Sequence, residues 1–118
     1  MLIDHSEILL GNLKEAVLNK SVIKFYYEDT NGKFKDYRTV EPYLIGVLKL
    51  NNELTLKGWF LPTGTQKALG QKEGWRLFHL KGIQNLEITR QNYKITKIRF
   101  EPRDKEMSSV ICSTEMVK

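Results

Sequence analysis

The sequence predicts a mainly β protein, a small sheet or barrel preceded by one helix. Apolar and polar residues alternate along four runs, and this period of two is typical of strands with one face in water. The runs span residues 22–27, 37–43, 54–59 and 75–83. Turn-forming dipeptides separate them, including Asn31-Gly32 and Asn51-Asn52. We therefore expect a half-solvated sheet or barrel.

A helix is predicted over residues 4–19. Leu9, Leu13 and Val17 recur at four-residue spacing and form one apolar stripe. Asp4 can cap the helix, and Glu7 stands where it completes a capping box. A helix this short needs a surface to cover its stripe, and the sheet that follows is the candidate.

The first strand leads into a hairpin at Asn31-Gly32 and a charged return strand over residues 33–40. Pro42 is expected to end the ladder of that strand, because proline has no backbone N–H to donate. The apolar run 43–50 then predicts a buried strand, in which Gly46 indicates a bulge or bend.

The second half of the chain predicts more strands and two irregular segments. The strands span residues 53–61, 75–80 and 83–88, with a further one over 93–100. Residues 62–74 are rich in glycine and polar side chains and predict a long loop. Residues 101–118 predict a loosely ordered tail, since Val110-Ile111 is their short apolar run.

The composition bounds the class of protein. The 118 residues are 41% hydrophobic and 28% charged, which is typical of one globular domain. The longest apolar run is too short to cross a bilayer and the N-terminus lacks the pattern of a signal peptide, so we expect a cytoplasmic protein without a membrane span. One cysteine, Cys112, fits a reducing compartment, and with His5 and His79 it falls short of a zinc site.

Basic residues are concentrated in the second half of the chain. The formal net charge is +5, and residues 66–100 hold eight Lys or Arg against two Asp or Glu, a local balance of +6. Such an excess attracts a polyanion. A solvated basic face without a partner has the same composition, so the charge by itself leaves both interpretations open.

The sequence has no nucleophile elbow, Walker loop or glycine-rich dinucleotide turn, so we expect neither enzyme activity nor a cofactor. A lone histidine such as His79 is more simply structural than a catalytic base. Trp59 and Trp75 are either core aromatics or platforms on which bases stack. Arg38 either grips a phosphate through two N–H donors or pairs with Glu41 or another nearby acid.

Several short motifs resemble the WYL domain family in their order and spacing. They cover residues 9–89 and are Leu13-x-x-Ala16-Val17, Ile23-x-Phe25-x-Tyr27, Arg38-x-Val40-Glu41-Pro42, Leu56-Lys57-Gly58-Trp59 and Phe78-His79-Leu80-Lys81-Gly82-Ile83. The three-residue signature that names the family falls at Leu54-Thr55-Leu56, where only its leucine is kept. Two arginines usual in the last motif fall at His79 and Gly82.

The resemblance implies both a fold and a function. Members of the family adopt an Sm-like, SH3-type β-barrel with an N-terminal helix, which here implies one domain over residues 1–100, with a helix over 4–19 and a barrel over 22–100. They usually follow a winged-helix DNA-binding domain in bacterial transcription regulators, where the barrel senses a nucleotide or single-stranded nucleic acid. We therefore expect a free-standing ligand-sensing module, linked to transcription regulation or phage defence.

The anionic ligand is expected where basic and aromatic residues meet, and Arg38 is the arginine that the family retains. The expected ligand-binding residues are Arg38, Lys57, Trp59, Arg76, His79, Lys81, Tyr27 and Tyr43. The alternative is a protein-interaction or oligomerisation module without a small ligand, acting as a homo-oligomer or with a separate DNA-binding partner. A sensing module should have a cationic pocket with aromatic walls, and an interaction module a contiguous apolar patch.

Overall fold

The structure, a computed structural model, describes residues 5–29, 32, 34–94 and 104–114. These residues form two helices, six strands and one 3₁₀ turn. In chain order they are α1 (His5–Asn19), β1 (Ser21–Glu28), β2 (Lys35–Leu48), β3 (Leu54–Phe60), α2 (Gly64–Ala68), β4 (Gly74–His79), the 3₁₀ turn (Leu80–Gly82), β5 (Gln84–Asn92) and β6 (Met107–Ser113).

The six described strands form one antiparallel sheet, in which β2 is the central strand. Five of them are ordered β4-β3-β2-β1-β5, and β6 also pairs with β2. Along one edge of β2, residues 40–47 pair with β3. Along the other edge, residues 35–40 pair with β1 and residues 44–48 pair with β6. β1 and β6 therefore lie end to end beside the same strand.

The predicted fold class is confirmed, since the chain is mainly β with a helix before the sheet. The predicted barrel, however, is not closed. Among the described strands, β4 and β5 lie at the two ends of the sheet and do not pair with each other. The 3₁₀ turn, rather than a ladder of hydrogen bonds, joins them. His79 and Gln84 lie at most about 15 Å apart, because the 3₁₀ turn between them rises by only about 2 Å per residue. Five flat strands span about 19 Å, so the open sheet is curved.

The inner face of the sheet holds the main core. From α1, Leu13, Ala16 and Val17 are fully buried, as the predicted stripe requires. They pack with residues of the strands and the 3₁₀ turn, which are Ile23, Phe25, Tyr27, Val40, Ile45, Leu56, Phe60, Phe78, Leu80, Ile83 and Cys112. Each large apolar side chain buried in this way contributes about 1.5–3 kcal/mol. The predicted cap of α1, Asp4, lies outside the described residues.

Two smaller apolar clusters cover the outer face. Val22, Tyr43 and Tyr93 pack with Trp59 and Trp75, and Leu44, Leu48 and Met107 pack with Leu77 and Val110. Both faces of the central strand are therefore covered, and for this reason residues 40–46 of β2 are all buried. This agrees with the prediction of a strand buried on both sides.

The ladder between β1 and β2 stops before Pro42, as predicted, but the strands predicted over residues 33–40 and 43–50 are one strand, β2, which continues through Pro42. Pairing with β1 ends at Val40 and pairing with β6 begins at Leu44, so the missing N–H of Pro42 removes no hydrogen bond to either strand. On the β3 side, the register shifts between Pro42 and Leu44, which indicates a β-bulge. The predicted irregularity at Gly46 is confirmed as a register shift toward β6, where a Cβ would lie 2.6 Å from the carbonyl O of Ser109.

The segment 101–118, predicted to be a loosely ordered tail, contains β6, so the prediction is wrong for residues 107–113. Residues 101–103 and 115–118 lie outside the described residues. The side chains of Met107 and Cys112 are buried in β6, whereas Ser108 and Ser109 are exposed. Two apolar anchors among polar residues give too weak a pattern to indicate a strand. The strand predicted over 93–100 falls largely outside the described residues.

The predicted polar loop over residues 62–74 contains α2. Thr63 and Gln66 form a capping box in which each side chain accepts a hydrogen bond from the backbone N–H of the other. Gln66 is buried, and its Nε2 donates to Oδ2 of Asp36 and to the carbonyl O of Tyr37. These bonds hold the segment against β2.

Candidate anion-binding site

The predicted ligand-binding residues lie on both faces of the sheet. In the register of β3 and β4, Gly58 pairs with Arg76 and Trp59 pairs with Trp75. Side chains alternate along a strand, so Lys57 and Trp59 lie on the outer face while Arg76 lies on the inner face. The eight predicted residues therefore do not form one site.

Arg38 lies on the inner face and is 3% exposed. Its Nη2 donates to Oδ1 of Asp29 at 3.1 Å and to the carbonyl O of Phe34 at 3.3 Å. The guanidinium carbon lies 4.3 Å from the centre of the Phe34 ring and 5.7 Å from the centres of the Tyr27 and Phe60 rings. The aromatic faces and the ion pair together stabilise the buried charge. Of the two interpretations of Arg38, the pair with a nearby acid is the one present, and the acid is Asp29.

Arg76, on β4, also lies against the Phe60 ring. Its guanidinium carbon lies 5.6 Å from the centre of the Phe60 ring, against 5.7 Å for Arg38. Its Nη1 and Nη2 donate to the carbonyl O atoms of Trp75 and Lys72 at 2.9 and 2.7 Å. Within the described parts of the chain, no carboxylate forms an ion pair with Arg76. Arg38 and Arg76, hereafter the arginine pair, thus share one aromatic ring.

Tyr27 lies on the inner face beside Arg38, whereas alternation along β4 places the His79 side chain on the outer face. Tyr27 is buried, and its hydroxyl accepts a hydrogen bond from the backbone N–H of His79 at 3.1 Å. Burial raises the pKa of Tyr27 and keeps the phenol neutral. The Nδ1 atom of His79 lies 3.4 Å from Oγ1 of Thr55. These contacts are those of a structural tyrosine and a structural histidine.

Lys57 lies on the outer face, where acidic side chains surround it. Its Nζ forms ion pairs with Asp104 and, at 3.5 Å, with Glu106, and it lies 5.7 Å from the centre of a Trp75 ring. Both acids immediately precede β6, so the ion pairs fasten this segment to β3. A groove of about 350 Å³ lies beside them, lined by Lys57, Trp75, Arg76, Leu77 and Glu106. The acids offset the charge of Lys57, which weakens its attraction for a polyanion.

The aromatic residues of the outer face pack on one another. The rings of Trp59 and Trp75 lie 5.3 Å apart and cross at 89°. Trp59 Nε1 donates to Oε2 of Glu73 at 2.8 Å. Tyr43 is fully buried against Trp75 and Tyr93, and burial raises the pKa of its hydroxyl. A fully buried ring cannot serve as a stacking platform in this conformation, whereas the two tryptophans are partly exposed.

Lys81 lies apart from both groups, in the 3₁₀ turn. Its Nζ donates to Oε1 of Glu53 at 2.8 Å, and this bond lowers the pKa of Glu53. The pair borders a groove of about 400 Å³, which is also lined by Ser6, Leu9, Leu54, Leu80 and Ile83. Of the predicted cations, the structure therefore brings together Arg38 and Arg76 at one ring and places Lys57 and Lys81 elsewhere.

Three residues that contact the arginine pair were not among the predicted site residues: Asp29, Phe34 and Phe60. Asp29 and Phe34 lie on either side of the turn at Gly32, so their approach to Arg38 depends on the conformation of that turn. Phe60 pairs in register with Val40. Alternation along β3 places Phe60 on the inner face, but only the register shows that it meets Arg38.

The described residues contain no group of three or more His, Cys, Asp or Glu side chains that could hold a metal ion. No helix among them is both long and apolar enough to cross a membrane.

The family follows from a comparison with models of known domain families. The model of the WYL domain matches residues 9–88, which is more than half of the chain. This chain belongs to the WYL domain family. The family indicated by the sequence motifs is thereby confirmed, although its signature is reduced to one leucine in Leu54-Thr55-Leu56. No curated protein matches this WYL domain.

A solved structure shares the fold of this WYL domain. The proteasome accessory factor B/C (PafBC) of Arthrobacter aurescens matches 68% of this chain with a TM-score of 0.52 and 20% sequence identity. The match covers 11% of that chain, so this WYL domain corresponds to a small part of a much longer protein. At this identity the likeness shows the fold alone.

Proposed function

We propose that this WYL domain is the ligand-sensing module of a regulatory system, and that it binds an anionic ligand, a nucleotide or single-stranded nucleic acid, at the arginine pair. One observation carries the proposal: two guanidinium groups approach the Phe60 ring, and the only carboxylate paired with either of them among the described residues is Asp29. A guanidinium binds a phosphate through two parallel N–H donors, which a lysine cannot do.

The local charge favours the arginine pair over the outer groove. Two cations against one carboxylate leave positive charge at the pair, whereas Lys57 faces both Asp104 and Glu106. An anion gains Coulomb energy only where the protein leaves charge uncompensated. Phe34, which stacks on Arg38, is only half-buried and offers an aromatic surface beside the cations.

Family membership supports the regulatory part of the proposal. WYL domains usually follow a DNA-binding domain in a transcription regulator and bind the ligand that the regulator senses. The resemblance in sequence motifs implied the same role. A DNA-binding partner, and a role in transcription regulation or phage defence, belong to the same proposal.

The test is fluorescence anisotropy with a fluorescein-labelled single-stranded oligonucleotide, titrated with the purified chain over a salt series. Binding should weaken as salt rises, because each neutralised phosphate releases counterions. Arg76→Ala should weaken binding by roughly ten- to a hundredfold, the loss expected for a charge-assisted contact of about 1.5–3 kcal/mol. Competition by an unlabelled nucleoside triphosphate distinguishes a nucleotide ligand from a longer strand.

The matched control is Arg90→Ala. Arg90 is an exposed arginine on β5, at the opposite end of the sheet from β4. This variant removes the same charge and should change affinity by less than about threefold through long-range electrostatics. Equal losses in the two variants, or no binding by the wild type at low salt, would overturn the proposal.

A second candidate, the interaction module, rests on a different surface. Leu50 is 88% exposed in the turn between β2 and β3. It lines a groove of about 460 Å³ with Leu48, Lys49, Leu77 and Glu106. Exposed apolar surface of this kind is typical of protein contacts. If the chain self-associates through it, Leu50→Ser should lower the mass measured by light scattering, whereas Leu69→Ser, at a separate exposed leucine on the segment after α2, should not.

A further inference from the structure

The ion pair between Arg38 and Asp29 is made through one nitrogen of the guanidinium. Nη2 donates to Oδ1 of Asp29 at 3.1 Å and shares its donors with the carbonyl O of Phe34. Arginine and a carboxylate more often meet through two parallel bonds, and that geometry is the stronger one. The pair in this protein is therefore only half formed.

The donor left over is Nε of Arg38. It is buried, and it has no hydrogen-bond partner within the described parts of the chain. A buried N–H without an acceptor destabilises a protein, and more so when it belongs to a charged group. Most buried donors in folded proteins are paired, so an unpaired one on an arginine side chain that is 3% exposed is a specific feature of this site.

Nε and Nη2 lie on the same edge of a guanidinium, with their N–H bonds parallel. An anion that presents two oxygens side by side, such as a phosphate, can accept from both of them, as in other two-point arginine contacts. Asp29 makes only the Nη2 bond. Its side chain is 39% exposed while that of Arg38 is almost fully buried, so the ion pair has one end at the surface.

We propose that the Asp29 carboxylate is a built-in competitor for the anion site: it occupies Nη2 of Arg38 in the free protein, and a ligand phosphate takes both Nη2 and Nε once the partly exposed Asp29 side chain has moved away and opened the buried guanidinium to the ligand. The inference rests on the proposed function of the arginine pair and adds its regulation. Asp29 holds the guanidinium in place when no ligand is present. It also lowers affinity, because binding must first break the ion pair.

The experiment repeats the anisotropy titration, with the same oligonucleotide, on Asp29→Asn and Asp29→Ala. Removing the competitor should raise affinity by about three- to tenfold, the equivalent of a charge-assisted bond discounted for exposure. The matched control is Glu28→Gln, which removes one negative charge at the adjacent position, where Glu28 pairs with Lys35 at the surface. It should raise affinity by less than about twofold.

A double-mutant cycle separates a direct contact from a general charge effect. Arg38→Lys keeps the charge but lacks the two-donor edge. In that background, Asp29→Asn should raise affinity much less than it does in the wild type, because the two-donor edge for which carboxylate and phosphate compete is absent.

Thermal midpoints measured without oligonucleotide show whether each variant is folded. With oligonucleotide, the midpoint of Asp29→Asn should rise more than that of the wild type, because the ligand binds this variant more tightly.

The outcomes distinguish the two proposals. If the wild type binds, Arg76→Ala weakens binding and Asp29→Asn behaves like Glu28→Gln, the competitor role is overturned and the proposed function stands. The competitor role is also overturned, and the proposed function stands, if Asp29→Asn and Asp29→Ala both bind more weakly than the wild type. If neither the wild type nor the Asp29 variants bind at low salt, the proposed function fails, and with it the inference.

Discussion

Gly82 packs against the ring of Tyr27 so closely that a Cβ atom at position 82 would lie 2.8 Å from Cε1 of the tyrosine. This is well inside van der Waals contact, so the arginine usual at this point of the family motif has no room unless Tyr27 moves. Tyr27 in turn accepts a hydrogen bond from His79 and lies beside Arg38. The glycine at position 82 and the position of this tyrosine are therefore linked.

Gly82→Ala is expected to destabilise the protein by about 1–3 kcal/mol, the typical cost of overpacking a core. The free energy of unfolding measured in urea gives this value directly. Gly11→Ala is the matched control, because a Cβ at Gly11 meets no atom within 4 Å and alanine is the better helix former. That control should be neutral or stabilise by up to about 1 kcal/mol, and an equal loss in both variants contradicts the role given to Tyr27.

Gly32 has a φ of +69°, as the predicted hairpin turn requires. A β-branched residue is strained in this left-handed region, so Gly32→Val should cost about 1–3 kcal/mol. Gly32→Asn should cost less, because asparagine tolerates the same backbone conformation. Denaturant midpoints for the two variants test this order. If valine and asparagine have equal effects, the cost does not come from φ.

Removal of β6 should strongly destabilise the protein, whereas removal of a loosely ordered tail would have little effect on stability. A chain that ends after residue 100 loses the burial of Met107 and Cys112 and the partners of Lys57. Burial alone then costs about 3–6 kcal/mol, which lowers the thermal midpoint by at least about 12 °C. Lys105→Ala, at an exposed position before β6, should leave the midpoint within about 2 °C. A truncated chain that melts within a few degrees of the full chain refutes the structural role of β6.

Buried tyrosines make the fold sensitive to alkali. Burial raises the pKa values of Tyr27, Tyr43 and Tyr93. The native state therefore binds the protons of these tyrosine hydroxyls more tightly than the unfolded chain, whose tyrosines ionise at about pH 10. Stability from this source is complete below about pH 10 and is then lost as pH rises, at up to about 1.4 kcal/mol per pH unit for each tyrosine.

Urea midpoints measured at pH values from about 8 to 11 test this expectation. Tyr43→Phe should reduce the loss of stability at alkaline pH, because phenylalanine has no proton to lose. Tyr37→Phe is the control, since Tyr37 is 43% exposed. If the two variants lose stability equally steeply, ionisation of Tyr43 is not the cause.

Residues with strong periodicity were predictable from sequence, and those that depend on register were not. Alternation identified β1, β3 and β4, and the stripe of α1 identified its buried face. β6 could not be recognised, because its stability comes from a free edge of β2 rather than from its own composition. The arginine pair was half predictable: both cations were named, but their common ring, Phe60, follows only from the pairing of β2 with β3 and of β3 with β4.

The shared edge of β2 also affects how the chain folds during synthesis. β6 is made about sixty residues after the part of β2 with which it pairs. At the usual rate of translation this interval lasts about 3–12 seconds. During it, the backbone groups of residues 44–48 that later bond β6 remain open, next to apolar side chains such as Leu44 and Leu48. An open apolar edge can pair with other chains, so we expect nascent chains that stall before β6 to be the species of this protein that chaperones bind.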